Sequence, residues 1–148
     1  MLSINPDDIL TALFRRLNSS PEFKEKVKSL DKGTKRVEGF GNPSATVFML
    51  TGPVDGETDA MRCSVVVKVY VKDTNKGRAN TAELGSIAKI VSSLFHKSHL
   101  ALHPKGKLTH ENLIFKSVLV QETLVGLVSE LEGEHLASIV ISVIVKGR

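Results

Sequence analysis

From Leu136 to Val145 the chain alternates with a period of two. Ile139, Ile141, Val143 and Val145 fall on one side of an extended backbone, and Val140, Ser142, Ile144 and Lys146 on the other. Such alternation among β-branched residues is the pattern of a β-strand, and a helix would scatter it around its circumference. The run follows a Glu132-Gly133-Glu134 turn and reads as the closing strand of a sheet. Met61 to Lys72 repeats the pattern: Cys63, Val65, Val67, Val69 and Val71 share one face, while Arg62, Ser64, Val66, Lys68, Tyr70 and Lys72 share the other. One face is therefore core and the other mixed. Ala45 to Thr51 is a third strand, and Gly52-Pro53-Val54-Asp55-Gly56 supplies the turn that makes a hairpin of it and the Met61 strand. A fourth strand is expected from Asn112 to Thr123, reaching Val128, with the turn Glu130 to His135 leading into the closing strand.

Helical signals occupy the remaining apolar segments. Asn5 is an N-cap, Pro6 suits the first helical position, Asp7 and Asp8 favour the positive end of the helix dipole, and Arg15 and Arg16 favour the negative end. Ile9, Leu10, Leu13, Phe14 and Leu17 form one apolar stripe on that helix. A shorter helix starts at Ser20-Pro21-Glu22 and turns Phe23 and Val27 inward, so Asn18-Ser19-Ser20 is a helix-ending turn. Asn80 and Glu83 pair as caps for a helix to about Phe95, with Leu84, Ile87, Ala88, Val91, Leu94 and Phe95 on its buried side. Asp31 to Ser44, with Gly33, Gly39, Gly41 and Asn42-Pro43, reads as a long loop. The expected architecture is α+β: a mainly antiparallel four-stranded sheet with helices packed on it, in the order helix, short helix, two strands, helix, two strands.

At 148 residues and 41% hydrophobic composition, the chain is long enough to bury on the order of two-thirds of its unfolded surface, as a single domain over 1–148. One cysteine, Cys63, excludes an internal disulfide and sits in the apolar register of its strand as a small buried hydrophobe. No stretch has the length of a membrane span or the form of a secretory signal, which implies synthesis in a soluble, reducing cytoplasm and no membrane partner. A net charge of +4 is mild, and Lys24, Lys26 and Lys28 are interleaved with Glu22 and Glu25 as on a solvated face.

Catalytic patterns are missing. Gly106-Lys107 lacks the upstream glycine of a phosphate-binding loop, and Gly39-Phe40-Gly41 lacks the strand-turn-helix context of a dinucleotide site. His110-Glu111 is followed four residues after His110 by Ile114, which rules out a zinc-protease helix. Asp55, Glu57 and Asp59 surround a turn, as solvent-facing carboxylates do. His96, His99, His103 and His110 cluster, but Pro104-Lys105-Gly106-Lys107 makes the segment a basic loop with no acidic or thiol ligand among the histidines. Neither an enzyme activity, a metal nor a cofactor is expected.

Taken together, the capped N-terminal helix, the strand Cys63-Ser64-Val65-Val66-Val67-Lys68-Val69-Tyr70-Val71, the Glu83 to Phe95 helix and the Glu130-Leu131-Glu132-Gly133-Glu134-His135 turn before an alternating strand resemble the tail terminator, or tail-completion, proteins of long-tailed bacteriophages. The resemblance spans most of the chain and lies in size, element order and hydrophobic pattern. It implies a virion protein of the tail, assembled in the host cytoplasm. Such a protein forms a ring of six copies, caps the tail tube, stops its polymerisation and offers its other face to the head-tail connector. Its partners would be itself, the tail tube protein and the connector. A ring needs unlike patches that meet between neighbours. Val66, Lys68 and Tyr70 on one strand and Val140 and Ile144 on another are the candidate contacts; the alternative is that the N-terminal helix covers that face. The rival reading is a basic nucleic-acid-binding sheet presenting Arg62, Lys68, Tyr70 and Lys72. Base-stacking sheets use several aromatics, and only Tyr70 is available, so nucleic acid is not expected as a specific ligand.

Overall fold

A computed structural model describes residues 4–55, 60–75, 77–96, 110 and 113–147. The elements are α1 (Pro6–Asn18), α2 (Pro21–Lys26), β1 (Ser29–Lys32), β2 (Ser44–Asp55), β3 (Ala60–Lys72), α3 (Thr81–Leu94), β4 (Leu113–Val128) and β5 (Glu134–Gly147). All five strands form one sheet in the order β1-β2-β3-β5-β4. Four of them, β2, β3, β5 and β4, are antiparallel neighbours, and β1 adds a parallel edge to β2.

The helix ends follow their capping chemistry. Asn5 Oδ1 accepts from the Asp7 N–H at 3.0 Å, Ser20 Oγ from Phe23 at 3.2 Å and Asn80 Oδ1 from Glu83 at 3.2 Å, each satisfying a donor that the first helical turn leaves open. The apolar stripes of α1 and α3 then join the odd-numbered face of β3 and β5 in one core: Ile9, Leu13 and Leu17 from α1, Leu84, Ile87 and Val91 from α3, with Phe23 and Phe95. Cross-strand rows tie it together, with Val47 opposite Val67 and Val67 opposite Ile139. Cys63, Val65, Val67, Val69 and Val71, and Ile139 through Val145 at alternate positions, are all buried as the alternation requires.

Three expectations need correction. The sheet has five strands, because Ser29–Lys32, whose beginning precedes the expected loop and whose end lies within it, pairs in parallel with Ser44–Val47. Ser-Leu-Asp-Lys is too short and mixed to carry a period; tertiary hydrogen bonds place it, with Lys28 N–H on the Pro43 carbonyl at 2.7 Å and Gly33 N–H on the Val47 carbonyl at 2.9 Å. The turn expected at Gly52–Gly56 begins later, since β2 continues to Asp55. Pro53 falls in the register shift between Thr51 and Val54, where the β2–β3 ladder has no paired residue and a missing N–H is tolerated, and a further shift lies between Met49 and Thr51. Residues 56–59 lie outside the described residues. Finally, the strand that closes the sequence does not close the sheet: β5 begins at Glu134 and is inserted between β3 and β4.

Candidate interaction surface

Because β5 is inserted between β3 and β4, β4 becomes a sixteen-residue edge strand. Its composition does not suit an edge. Across Leu113–Val128 the charged residues are Lys116 and Glu122, and aliphatic side chains point to both faces. On the helix side, α3 covers the strand's first half, where Leu113 and Val118 are buried and Phe115 and Val120 pack against the core. Past Val120 the strand runs out from under the helix. Val125 and Val128 stand in register with Ala137 and His135 of β5, yet Val128 is 82% exposed. On the other face, which none of the described helices covers, Leu119 is 55% exposed and Leu124 and Leu127 are also exposed, as is Ile114. Of the nine large hydrophobic side chains exposed among the described residues, six lie on β4 and a seventh, Leu131, on the turn after it.

Among the described residues β4 pairs with β5 alone; an edge strand presents free N–H and C=O groups, and soluble proteins usually blunt such edges with charge, proline or bulges. β4 has register shifts between Phe115 and Ser117, Val120 and Glu122, and Val125 and Leu127, so bulges are the blunting it uses. Gly126 supplies the positive φ of 86° that the last irregularity needs. Bulges interrupt main-chain pairing without covering the aliphatic side chains. What remains is a long apolar strip, the kind of surface that marks a macromolecular contact.

The sequence-predicted contact residues are distributed differently. Val66 and Tyr70 are buried at 3% exposure within the monomer, Lys68, Val140 and Ile144 are half-buried, and the helices pack on the opposite face. What covers Tyr70 is the segment after β1. Arg36 stacks between two rings, 3.7 Å from the Tyr70 centroid and 4.1 Å from that of Phe40. Its guanidinium makes a two-pronged contact with the Glu134 carboxylate, one prong at 3.0 Å, and donates to Ser44 Oγ at 3.1 Å. Glu130 approaches at 3.6 Å, and Ser129 Oγ donates to Glu134 at 2.6 Å. Burial works to raise the Glu134 pKa, but the hydrogen bonds from Arg36 and Ser129 outweigh it and hold the carboxyl below its ordinary range. Burial likewise works to lower that of Arg36, and the Glu134 contact reverses the sign. Tyr70 is pushed up, chiefly by burial. Beside this cluster His135 Nδ1 lies 2.6 Å from Asp73 Oδ1.

Nothing in these groups sets up a nucleophile. Burial raises the Cys63 thiol to about 11. Of the clustered histidines, His96 follows α3 and His110 lies 3.4 Å from Asp8, while His99 and His103 lie outside the described residues. Among the described residues no three His, Cys, Asp or Glu side chains are grouped to hold a metal ion, and no helix is long and apolar enough to cross a membrane. The β4 strip was missed in the sequence although its signal is there: apolar residues on both faces mark a strand covered on both sides, and six of the large hydrophobic side chains of β4 are exposed.

No family model matches the chain, and no curated protein matches it. Among solved structures, the chain is similar to the bacteriophage SPP1 gp17 protein, with a TM-score of 0.52 at 15% identity over 93% of this chain and 88% of that one. A second solved chain aligns with a TM-score of 0.52 at 14% identity, over 99% of this chain and 97% of its own. At these identities the likeness is one of fold, and it extends over nearly the whole domain.

Proposed function

We propose that this chain is a non-enzymatic structural protein of a bacteriophage virion that caps the tail tube as a ring of six copies, ends tube polymerisation and presents a face to the head-tail connector. The observation that carries the reading is the β4 strip, a surface too apolar for a protein that works alone. The fold likeness to the SPP1 gp17 protein, from a bacteriophage, supplies the setting. Its partners are then other copies of itself, the tube protein and the connector, and no cofactor or metal is required. The nucleic-acid reading loses its stacking platform, because Arg36 occupies the face of Tyr70 and Lys68 lies over Phe48, 5.4 Å from the ring centroid.

Native mass spectrometry at rising concentration, followed by electron microscopy of growing tail tubes with and without the protein, tests the proposal. The expected result is a closed oligomer and shorter tubes carrying it at one end. A protein that stays monomeric, ignores tubes and binds RNA or DNA with a steep loss of affinity as salt rises would overturn it in favour of the nucleic-acid reading.

A further inference from the structure

Among the described residues the two exposed large aliphatics not on or beside β4 are Val37 and Leu50, at 59% and 54% exposure. Both belong to the opposite edge of the sheet. Leu50 lies on β2 beyond the reach of β1, and the Val37 N–H donates to Asp31 Oδ2 of β1 at 3.3 Å. Each edge of one sheet therefore carries an apolar patch, and the patches are unlike. Their ends are unlike in charge as well. Ser29, Ser44, Tyr70, Leu136 and Leu127 are level across the sheet. At that level β4 ends in the turn bearing exposed Glu130 and Glu132, while the β1 edge bears exposed Lys28 and Lys35.

From this pairing of edges we infer that the β4 edge of one copy seats against the β1–β2 edge of the next, related by rotation about an axis along the strands. The inference deepens the ring reading and rests on it for its setting. Rotation about such an axis preserves height, so Glu130 and Glu132 of one copy come level with Lys28 and Lys35 of its neighbour. It also brings β4 beside strands of opposite direction, since β4 runs antiparallel to β5 while β5 and β2 both run antiparallel to β3. A two-fold axis along the strands would instead set the acidic turns against each other, and a two-fold across them would leave Leu50 and Val37 bare. The irregularities at Leu50 and Gly52–Pro53 keep β2 from accepting a long strand, so side chains make the joint. A strip about 50 Å long and about 10 Å wide is on the order of 500 Å², short of the roughly 800 Å² per partner of a stable pair. Single contacts are then weak, and closure, in which each copy makes two, holds the ring.

The test uses the full chain carrying Leu124→Asp or Leu50→Asp, both at exposed positions, with thermal melts to establish that each folds as the parent does. Native mass spectrometry is run at concentrations where the parent forms rings. Each variant alone is expected to remain monomeric. An equimolar mixture should form no ring and associate no further than a weak pair with one copy of each, seen only at the highest concentrations, because only one intact joint is left between them. As a second measurement, Lys35→Glu should weaken assembly and Glu132→Lys in the same chain should restore it. Normal rings from Leu50→Asp with none from Leu124→Asp would mean that β4 seats on a surface other than the β1–β2 edge, and would overturn the inference. Rings from both variants would overturn the joint and leave tube capping standing. Rings that obey the mixing rule but never cap tubes would sink the tail function and leave the joint standing. A parent chain that never associates, alone or on tubes, overturns both.

Discussion

Removing Arg36 should destabilise this domain more than any other single change outside its apolar core. The side chains of Arg36 and Glu134 are 4% and 6% exposed, so Arg36→Ala leaves a buried carboxylate with Ser129 as its remaining hydrogen-bond donor of the pair that held it. Breaking a buried pair from one side costs about 3–5 kcal/mol. The two ring contacts add to that, since each is worth roughly 0.5–2 kcal/mol. For a domain of this length each kcal/mol moves Tm by roughly 2–4 °C, so a drop on the order of 10 °C is expected. Urea titrations as a function of pH separate the ion pair from mere packing. Glu134 is held below the ordinary carboxylate range, so its contribution is fully present above the unfolded value of about 4.3 and is lost as pH falls through the folded value. The gap between the parent and Arg36→Ala should therefore be large near neutrality and shrink in acid, where the stranded carboxyl takes up a proton. Arg36→Met with Glu134→Leu, which removes both charges, should recover most of the loss. A gap below about 1 kcal/mol, or one that does not change with pH, would refute the argument that this pair pins the segment after β1 to the sheet.

Two further outcomes follow from the core. Val67→Asp and Val143→Asp each bury an unpaired charge in the centre of the sheet and should each cost more than about 4 kcal/mol, whereas Lys68→Asp on the opposite face should not; equal melting temperatures for all three would contradict the register. The Cys63 thiol, buried and raised to about 11, should react with a disulfide reagent in the native protein orders of magnitude more slowly than in urea, and rapid native labelling would show that the strand opens.

Local chemistry was enough to place the helices and four of the strands, but not β1. A period of two in β3 and β5, a period of 3.6 in α1 and α3, and side-chain oxygens at Asn5, Ser20 and Asn80 depend on neighbours a few residues apart. Those neighbours are present in the sequence as they are in the fold. The core face was legible for the same reason, since one register of alternation leaves one choice of buried side. Lateral order was not. Which backbone edge meets which is decided by pairings such as Val67 with Ile139, and no local pattern separates a central strand from an edge strand when both are aliphatic. So β5, last in the chain, lies inside the sheet between β3 and β4, and β4, apolar on both sides, is left outside. Val66 is buried in the folded domain, and Tyr70 left the candidate surface because Arg36 lies on its ring and reaches Glu134, 98 residues away, an encounter that exists only once the sheet has formed. Sequence determined which residues turn inward; the closing of the sheet decided which apolar residues were left for a partner.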